Sequence, residues 1–181
     1  MPERINVRRG RNMADDTIEK ELEKANMLLA AGDFKKSHNK FKKIVKDDPE
    51  NAAAYFGMAE ASMGIPKMKM QEIAANYQKA CNLNPENALY WATYGNFCFE
   101  NGVLKKGEEC FLKAAEVDEE NSTLYLSDLA TSYFQSATTF QNHYPKLTKD
   151  DIARTSLKYI LMAFDIPKDK AKDLISTIQE E

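Results

Sequence analysis

The chain has 181 residues and a formal net charge of -3, with 43% hydrophobic and 29% charged residues. This length fits one domain or a short array of repeats, and the apolar content is sufficient to form a buried core. The weakly acidic balance argues against a protein built mainly to bind nucleic acid, and seven glycines and six prolines leave little room for a hairpin-rich fold.

The chain begins with a basic segment. Residues 1–16 contain four arginines, Arg4, Arg8, Arg9 and Arg11. We predict a disordered arm here, since chain ends without a packed apolar face are commonly poorly ordered. An arm of this charge could also contact nucleic acid, and that alternative stays open.

A short segment then recurs at intervals that indicate repeated units. The sequence DPEN at Pro49 returns as NPEN at Pro85, 36 residues later, and a third copy without proline ends at Asn121. Periods of this size are typical of stacked supersecondary units. Apolar residues between the links have helical spacing, which predicts helices over 52–63 and 88–100. In each link the proline ends one helix and asparagine caps the next.

The third unit carries the most complete pattern of large and small residues. Its repeat positions are Trp91, Tyr94, Gly95, Gly102, Phe111 and Ala114. The other units contribute Gly32, Phe41, Pro49, Tyr55, Ala59, Pro85, Leu129 and Ala130. We expect the large residue to fill the space between paired helices, the small one to let them approach closely, and the later glycine to form the turn.

This pattern resembles the tetratricopeptide repeat, in which W-x2-L-G-x2-Y is followed by A-x3-F and then proline. The resemblance covers residues 17–137 and implies an all-α, right-handed superhelical solenoid of helix-turn-helix repeats. The implied units are 17–51, 52–87, 88–122 and a partial fourth from 123. Departures include Glu21 and Lys24 at the two large positions of the first unit, and Gly107 where alanine is usual.

The pattern is interrupted after residue 137. Polar residues over 138–147 predict a loop, and Thr148 with Asp151 three residues later predicts a capped helix. A final amphipathic helix is predicted from the spacing of Leu174, Ile175 and Ile178. We expect the whole segment 138–181 to pack on the array or to cap it.

No catalytic or metal-binding motif is evident. His38 and His143 are far apart in sequence, and no nucleophile or phosphate-binding pattern is present. We therefore predict a protein that is not an enzyme and needs no cofactor or metal. The three cysteines, Cys81, Cys98 and Cys110, lie in helical patterns and favour a reducing, cytoplasmic location. No apolar run reaches the roughly 20 residues of a membrane span.

The family resemblance implies a concave groove lined by the first helix of each unit, where tetratricopeptide proteins bind peptides or partner proteins. Its predicted lining is Leu22, Asn26, Leu29, Phe56, Glu60, Met63, Leu89, Asn96 and Phe99. In this set the polar strip consists of Asn26, Glu60 and Asn96, and it lies between two apolar strips, the second of which consists of Leu29, Met63 and Phe99. That composition suits an extended peptide or an amphipathic helix with apolar anchors.

One branch of the family clamps the C-terminal carboxylate of heat-shock chaperones with lysine, arginine and asparagine side chains. The corresponding residues here are Leu22, Asn26, Gly57, Leu89 and Thr93. Only the asparagine is kept, so no cationic pocket is expected to hold a carboxylate. The resemblance therefore does not extend to a heat-shock partner.

Three functional hypotheses remain open. The first is a non-catalytic protein-interaction module that acts as an adaptor, scaffold or holding chaperone. The second is a self-assembling structural protein, such as a homodimer, whose groove is covered by its own C-terminal helix or by a second chain. The third, which the overall charge disfavours, is an RNA-associated factor that uses the basic arm.

Overall fold

The computed structural model describes residues 13–167 and 169–170, with the side chains described from residue 16 onward. Over these residues the chain forms nine α-helices and one 3-10 turn, without a strand. Residues 1–12 of the predicted basic arm lie outside the described residues, and so do Leu174, Ile175 and Ile178 of the predicted final helix. Residues 13–16 form the start of the first helix (Met13–Ala30), so the predicted disordered arm is wrong at these four residues.

The helices follow one another with short links and form antiparallel pairs. They are α1 (Met13–Ala30), α2 (Phe34–Asp47), α3 (Ala52–Met63), α4 (Met70–Leu83), α5 (Ala88–Glu100), α6 (Leu104–Val117), α7 (Ser122–Gln135), α8 (Ala137–His143) and α9 (Lys149–Ala163). The most extensive packing joins α5 to α6, α7 to α9 and α3 to α4, followed by α2 to α3 and α1 to α2. Helices α3 and α5 occupy the predicted segments, and the predicted helical-repeat solenoid is confirmed.

The arrangement of the pairs defines an inner and an outer layer. Each second helix packs on the first helix of the next unit, as α2 does on α3, α4 on α5 and α6 on α7. First helices also contact each other, α1 with α3 and α5 with α7. Packing of comparable extent between α2 and α4, or between α4 and α6, is not seen in the described part of the chain. The contacts of α1 with α3 and of α5 with α7 place these first helices on the concave side, and a contact of that extent between α3 and α5 is not seen among the described residues.

The asparagine links cap the first helices as predicted. The side-chain oxygen of Asn51 accepts a hydrogen bond from Ala54 N at 2.9 Å, and that of Asn87 accepts one from Tyr90 N at 3.2 Å. The third link differs, since Asn121 makes no side-chain cap of α7 and instead bonds to Asp118 at the 3-10 turn. The first two links therefore begin their helices by the same local bond.

We expect Asn87→Ala to lower the free energy of unfolding by about 1 kcal/mol, because an orphan helix N–H loses its acceptor. Asn87→Asp should be nearly neutral, since a carboxylate can accept the same bond. Urea denaturation followed by circular dichroism measures both. Asn121→Ala is the matched control, and an equal loss there would contradict the capping argument.

Small residues allow close contact within the third unit, as expected. A Cβ built on Gly95 would lie 2.7 Å from Cδ2 of Phe111, so α6 packs directly over the backbone of α5. Gly32 and Gly102 adopt positive φ values of 76° and 73° at the turns within the first and third units. Glycine suits both turns because a Cβ disfavours this backbone conformation.

Trp91 does not lie wholly inside the helix pair. Its ring is half-buried at the junction between two core clusters, beside Ala88 and Ala92 on one side and Tyr94 on the other. The indole N–H donates to the carbonyl oxygen of Pro85 at 2.8 Å. The residue therefore joins the third unit to the link before it, in addition to packing between helices.

The first unit replaces the large ring by an ion pair. Glu21, at the position of Trp91, accepts hydrogen bonds of 2.8 Å from Lys24 on α1 and from Lys40 on α2. These two lysines lower the pKa of Glu21 to about 2. Because the group is exposed to water, the pairs orient the helices more than they stabilise them.

The predicted loop over 138–147 is wrong in its first half, which forms helix α8. Phe140 of this helix is fully buried, and its ring meets those of Phe99 at 5.1 Å and Tyr133 at 5.2 Å. The helix was not predicted because Phe140 is the only large apolar residue among polar neighbours in this segment. The predicted cap of α9 is confirmed, because Thr148 and Asp151 form a reciprocal capping box.

Candidate functional site

The concave face presents apolar side chains to solvent on the first helices of three successive units, α1, α3 and α5. Leu89 on α5 is 59% exposed and Met63 on α3 is 47% exposed. Leu22 and Leu29 on α1 are half-buried against the first core cluster. These four residues lie at predicted groove positions and remain accessible to a partner.

On this face, Phe56 packs against two other aromatic rings. Its ring stacks on Tyr90 with a centroid distance of 4.4 Å and an angle of 16°. It also meets the buried ring of Tyr77 edge-on at 5.9 Å. Such packing holds an aromatic surface in place before a ligand arrives, which reduces the entropy lost on binding.

The predicted groove residue Phe99 is not available for binding. It is fully buried and lies among Phe111, Tyr133 and Phe140, with ring centroids 5.1 to 5.7 Å away. Helix α8 supplies the ring that closes this site from outside. The inclusion of Phe99 in the partner-binding surface was therefore wrong, and the second apolar strip ends at Met63.

The polar strip is held by hydrogen bonds to other elements. The Tyr77 hydroxyl donates to the Glu60 carboxylate. Burial is the larger cause and this hydrogen bond the smaller cause of a raised pKa of Tyr77. The Ser132 hydroxyl of α7 donates to the Asn96 amide oxygen at 2.7 Å. Asn26 on α1 is exposed. The strip can thus offer oriented polar groups to a peptide backbone.

Two further exposed apolar residues on α7 were missed in the sequence. Leu124 is 56% exposed and Phe134 is also exposed, 35 residues after Leu89 and Phe99 respectively. The same offset relates Trp91 to Leu126, which the fourth unit's pattern contains. Extending the groove positions by this offset would have found both.

The carboxylate-clamp positions are unsuitable for an anion in the structure as well. Gly57 is buried beneath Phe41, whose ring atoms would lie 2.2 to 2.7 Å from an added Cβ. Leu22, Leu89 and Thr93 offer no positive charge at the other positions. Asn26 alone cannot replace the missing cations.

The cysteines form part of the core. Cys81, Cys98 and Cys110 are all buried, free of disulfides, and belong to one core cluster. Burial raises the pKa of the Cys81 thiol to about 12, and the hydrogen bond with Cys98, together with burial, raises that of Cys110. Neutral thiols of this kind behave as small apolar side chains.

Metal-binding clusters and membrane-spanning helices are not found among the described residues. Across 13–167 and 169–170, no group of three or more histidine, cysteine or acidic side chains is placed to hold a metal ion. None of the helices in that part is both long and apolar enough to traverse a lipid bilayer.

Comparisons with known proteins agree with this architecture. No protein-family model matches the chain. Human tetratricopeptide repeat protein 6 is 27% identical over 136 residues, covering 58% of this chain and 26% of that protein. The chain thus spans about a quarter of the length of this curated relative.

Solved structures share the fold at low identity. Two crystal structures of MamA superpose with TM-scores of 0.63 and 0.62 at 19% and 20% identity, covering 88% of this chain and 78% and 84% of theirs. A mutant O-GlcNAc transferase from Thermobaculum terrenum gives a TM-score of 0.58 at 18% identity, over 74% of this chain and 27% of that one. These likenesses show that the chain has the fold of a helical-repeat solenoid, and the repeat pattern and helix pairing are similar to those of tetratricopeptide-repeat proteins.

Proposed function

We propose that the chain is a protein-interaction module, without catalytic activity, whose concave face binds a peptide or amphipathic helix carrying apolar anchors. The observation that carries this proposal is the exposure of Leu89 and Met63 on helices that line the same concave surface. Exposed apolar patches on the surface of a protein commonly mark sites where a partner binds. An adaptor, scaffold or holding chaperone would use the surface in this way.

The size of the surface sets the expected affinity. Five accessible or half-buried anchors are available: Leu22, Leu29, Phe56, Met63 and Leu89. Each contributes about 1 to 2 kcal/mol when a partner covers it partly. Association costs about 4 kcal/mol or more, so at most about 6 kcal/mol remains and we expect a dissociation constant between about 50 μM and the millimolar range.

Replacing the two most exposed anchors should remove most of this binding. We expect the double variant Leu89→Glu, Met63→Glu to raise the Kd by about 30-fold or more, because two buried apolar contacts are lost and two charges are desolvated. Displayed random peptides would first be selected on the immobilised full chain. A synthetic peptide from that selection would then be titrated by fluorescence anisotropy.

The control is Leu112→Glu, which adds the same charge at a residue 39% exposed on the outer helix α6. This variant should bind like the parent chain. Equal binding by the concave-face double variant would contradict the proposal. A chain that selects no peptide and whose mass doubles with concentration would instead favour the self-assembling alternative.

The cytoplasmic location stays a prediction, which the free, buried thiols support.

A further inference from the structure

Positive charges are divided unequally between the two layers of the solenoid. The inner helices α3, α5 and α7 contain no lysine or arginine, whereas the outer helix α2 contains six lysines and α6 contains three. Of the four inner helices, α1 carries lysines, and Lys24 there is paired with Glu21. The concave side is therefore poor in positive charge.

Carboxylates lie on the same face of the inner helices as the apolar anchors. On α5, Glu100 follows Leu89 by eleven residues and Asn96 by four, which places the three on one side of the helix, and all three are exposed. On α7, the exposed Asp128 lies one turn after the exposed Leu124. The concave face thus combines apolar residues with negative charge.

The concave side of α1 is acidic as well. A cavity of about 540 Å³ extends along this helix beside the groove residues Leu22 and Asn26. Three carboxylates and one lysine complete its lining: Asp16, Glu19, Glu23 and Lys20. The negative charge therefore continues along the first unit.

The carboxylates of α3, α5 and α7 are not neutralised by described lysines or arginines. The ion pairs formed among the described residues join lysines to four other carboxylates, those of Glu21, Asp33, Glu50 and Glu116. An uncompensated field of one sign in a concave surface attracts ligands of the opposite charge.

Glu60 on α3 and Glu100 on α5 lie around one hydroxyl group. Burial is the main cause of the raised pKa of Tyr77, and the negative charges of Glu60 and Glu100 add to it. The Tyr77 hydroxyl donates to Glu60, but a neutral donor cancels neither charge. Two carboxylates from adjacent inner helices are thus available to one cationic group.

The side chains next to Glu60 suit the long stem of a lysine or an arginine. Met63 lies three residues after Glu60 and is 47% exposed. Phe56 lies four residues before it, and its ring stacks on Tyr90 at 4.4 Å. Lysine and arginine cover apolar surface with their stems while the charged head reaches a polar group. An aromatic ring near the head adds further attraction.

We propose that the ligand of the concave face is a positively charged peptide or amphipathic helix, whose lysine or arginine side chains bind Glu60 and Glu100 while its apolar side chains pack on Met63. This assignment rests on the proposed function and specifies the charge of its ligand. An acidic peptide would bring like charges together on helices that offer no cation, so it is excluded.

Displayed random peptides selected on the full chain test the charge of the ligand. The neutral variant Leu89→Ser, Met63→Ser identifies the peptides that bind the concave face, because their binding should be lost. In that set, lysine and arginine should outnumber aspartate and glutamate by about threefold or more. If no peptide falls in the set, the proposed function fails together with its ligand. If the set lacks an excess of positive charge, the proposed ligand fails and the proposed function stands.

One selected peptide, carrying a fluorophore, then tests the two carboxylates directly. Glu60→Gln, Glu100→Gln should raise its Kd about fivefold or more, because two ion pairs are lost while the glutamine oxygen still accepts the bond from Tyr77. The matched control Glu72→Gln, Glu109→Gln removes the same charge from exposed residues on the outer helices α4 and α6. It should leave the Kd within about twofold. Equal effects of the two double variants would contradict the proposal, since overall charge would then explain the binding.

Charge reversal at the exposed Glu100 gives a second test. Glu100→Lys should weaken the selected peptide. At least one single replacement of a peptide lysine or arginine by glutamate should bind this variant about threefold or more tightly than it binds the parent chain. If no reversed peptide prefers the variant, the cationic contacts lie elsewhere and the role of this pair is overturned. Circular dichroism and urea denaturation verify that each variant is folded.

Discussion

Phe99→Glu should prevent the chain from folding cooperatively, with an expected loss of about 5 kcal/mol or more in the free energy of unfolding. The ring is fully buried between α5, α6, α7 and α8. A carboxylate there would lose its hydration without gaining a partner, and the cavity left by the ring would add to the cost. A loss of this size is comparable with the whole stability of a typical domain.

Leu89→Glu is the matched comparison, since both residues were predicted to line the groove. Leu89 is 59% exposed and lies in the first turn of α5, where the helix dipole favours negative charge. Its effect on stability should stay within about 0.5 kcal/mol. Urea titrations of both variants measure the two free energies of unfolding and test this difference. Similar stabilities would contradict the burial of Phe99 and restore it to the groove.

The difference in burial between Phe99 and Leu89 shows which parts of the fold and of the candidate site could be predicted from the sequence. The links at Asn51 and Asn87 act locally, so the starts of α3 and α5 could be predicted from a few adjacent letters. The burial of Phe99 depends on Phe140, 41 residues later, on a seven-residue helix with one apolar anchor. The periodic pattern of apolar residues within one helix does not predict a contact between residues so far apart in sequence.

The spacing between equivalent residues changes by one before the fourth unit, and this made the groove positions of that unit difficult to predict from the sequence. Asn87 and Asn121 are 34 residues apart, whereas Trp91 and Leu126 are 35 apart. The 3-10 turn at Glu119–Asn121 stands where the earlier links have proline, and the phase changes by one residue there. The groove positions of α7 were therefore not extended from the earlier units. Whether the groove binds a partner stays a prediction.

Gly107→Ala should destabilise the chain by about 1 to 3 kcal/mol, although alanine is usual at this position of the repeat. In an ordinary helix the change would stabilise by about 1 kcal/mol, because alanine has the higher helix propensity. Here a Cβ on Gly107 would lie 2.2 Å from Cδ1 of Phe99 and 3.1 Å from the carbonyl oxygen of Gly95. The overpacking outweighs the gain in propensity, since the ring is enclosed and cannot move aside.

The first unit indicates how the clash could be relieved. There Leu29 and Ser37 occupy the places of Phe99 and Gly107, and Ser37 is buried with its hydroxyl bonded to Ala25 O at 2.9 Å. A side chain larger than glycine therefore fits against the first helix when leucine replaces the ring. We expect Phe99→Leu to cost about 1 kcal/mol alone and to remove most of the loss caused by Gly107→Ala, giving a coupling energy of about 1 kcal/mol or more. Strictly additive losses in the double-mutant cycle would mean that the ring is not what excludes alanine, and the carbonyl of Gly95 would become the cause.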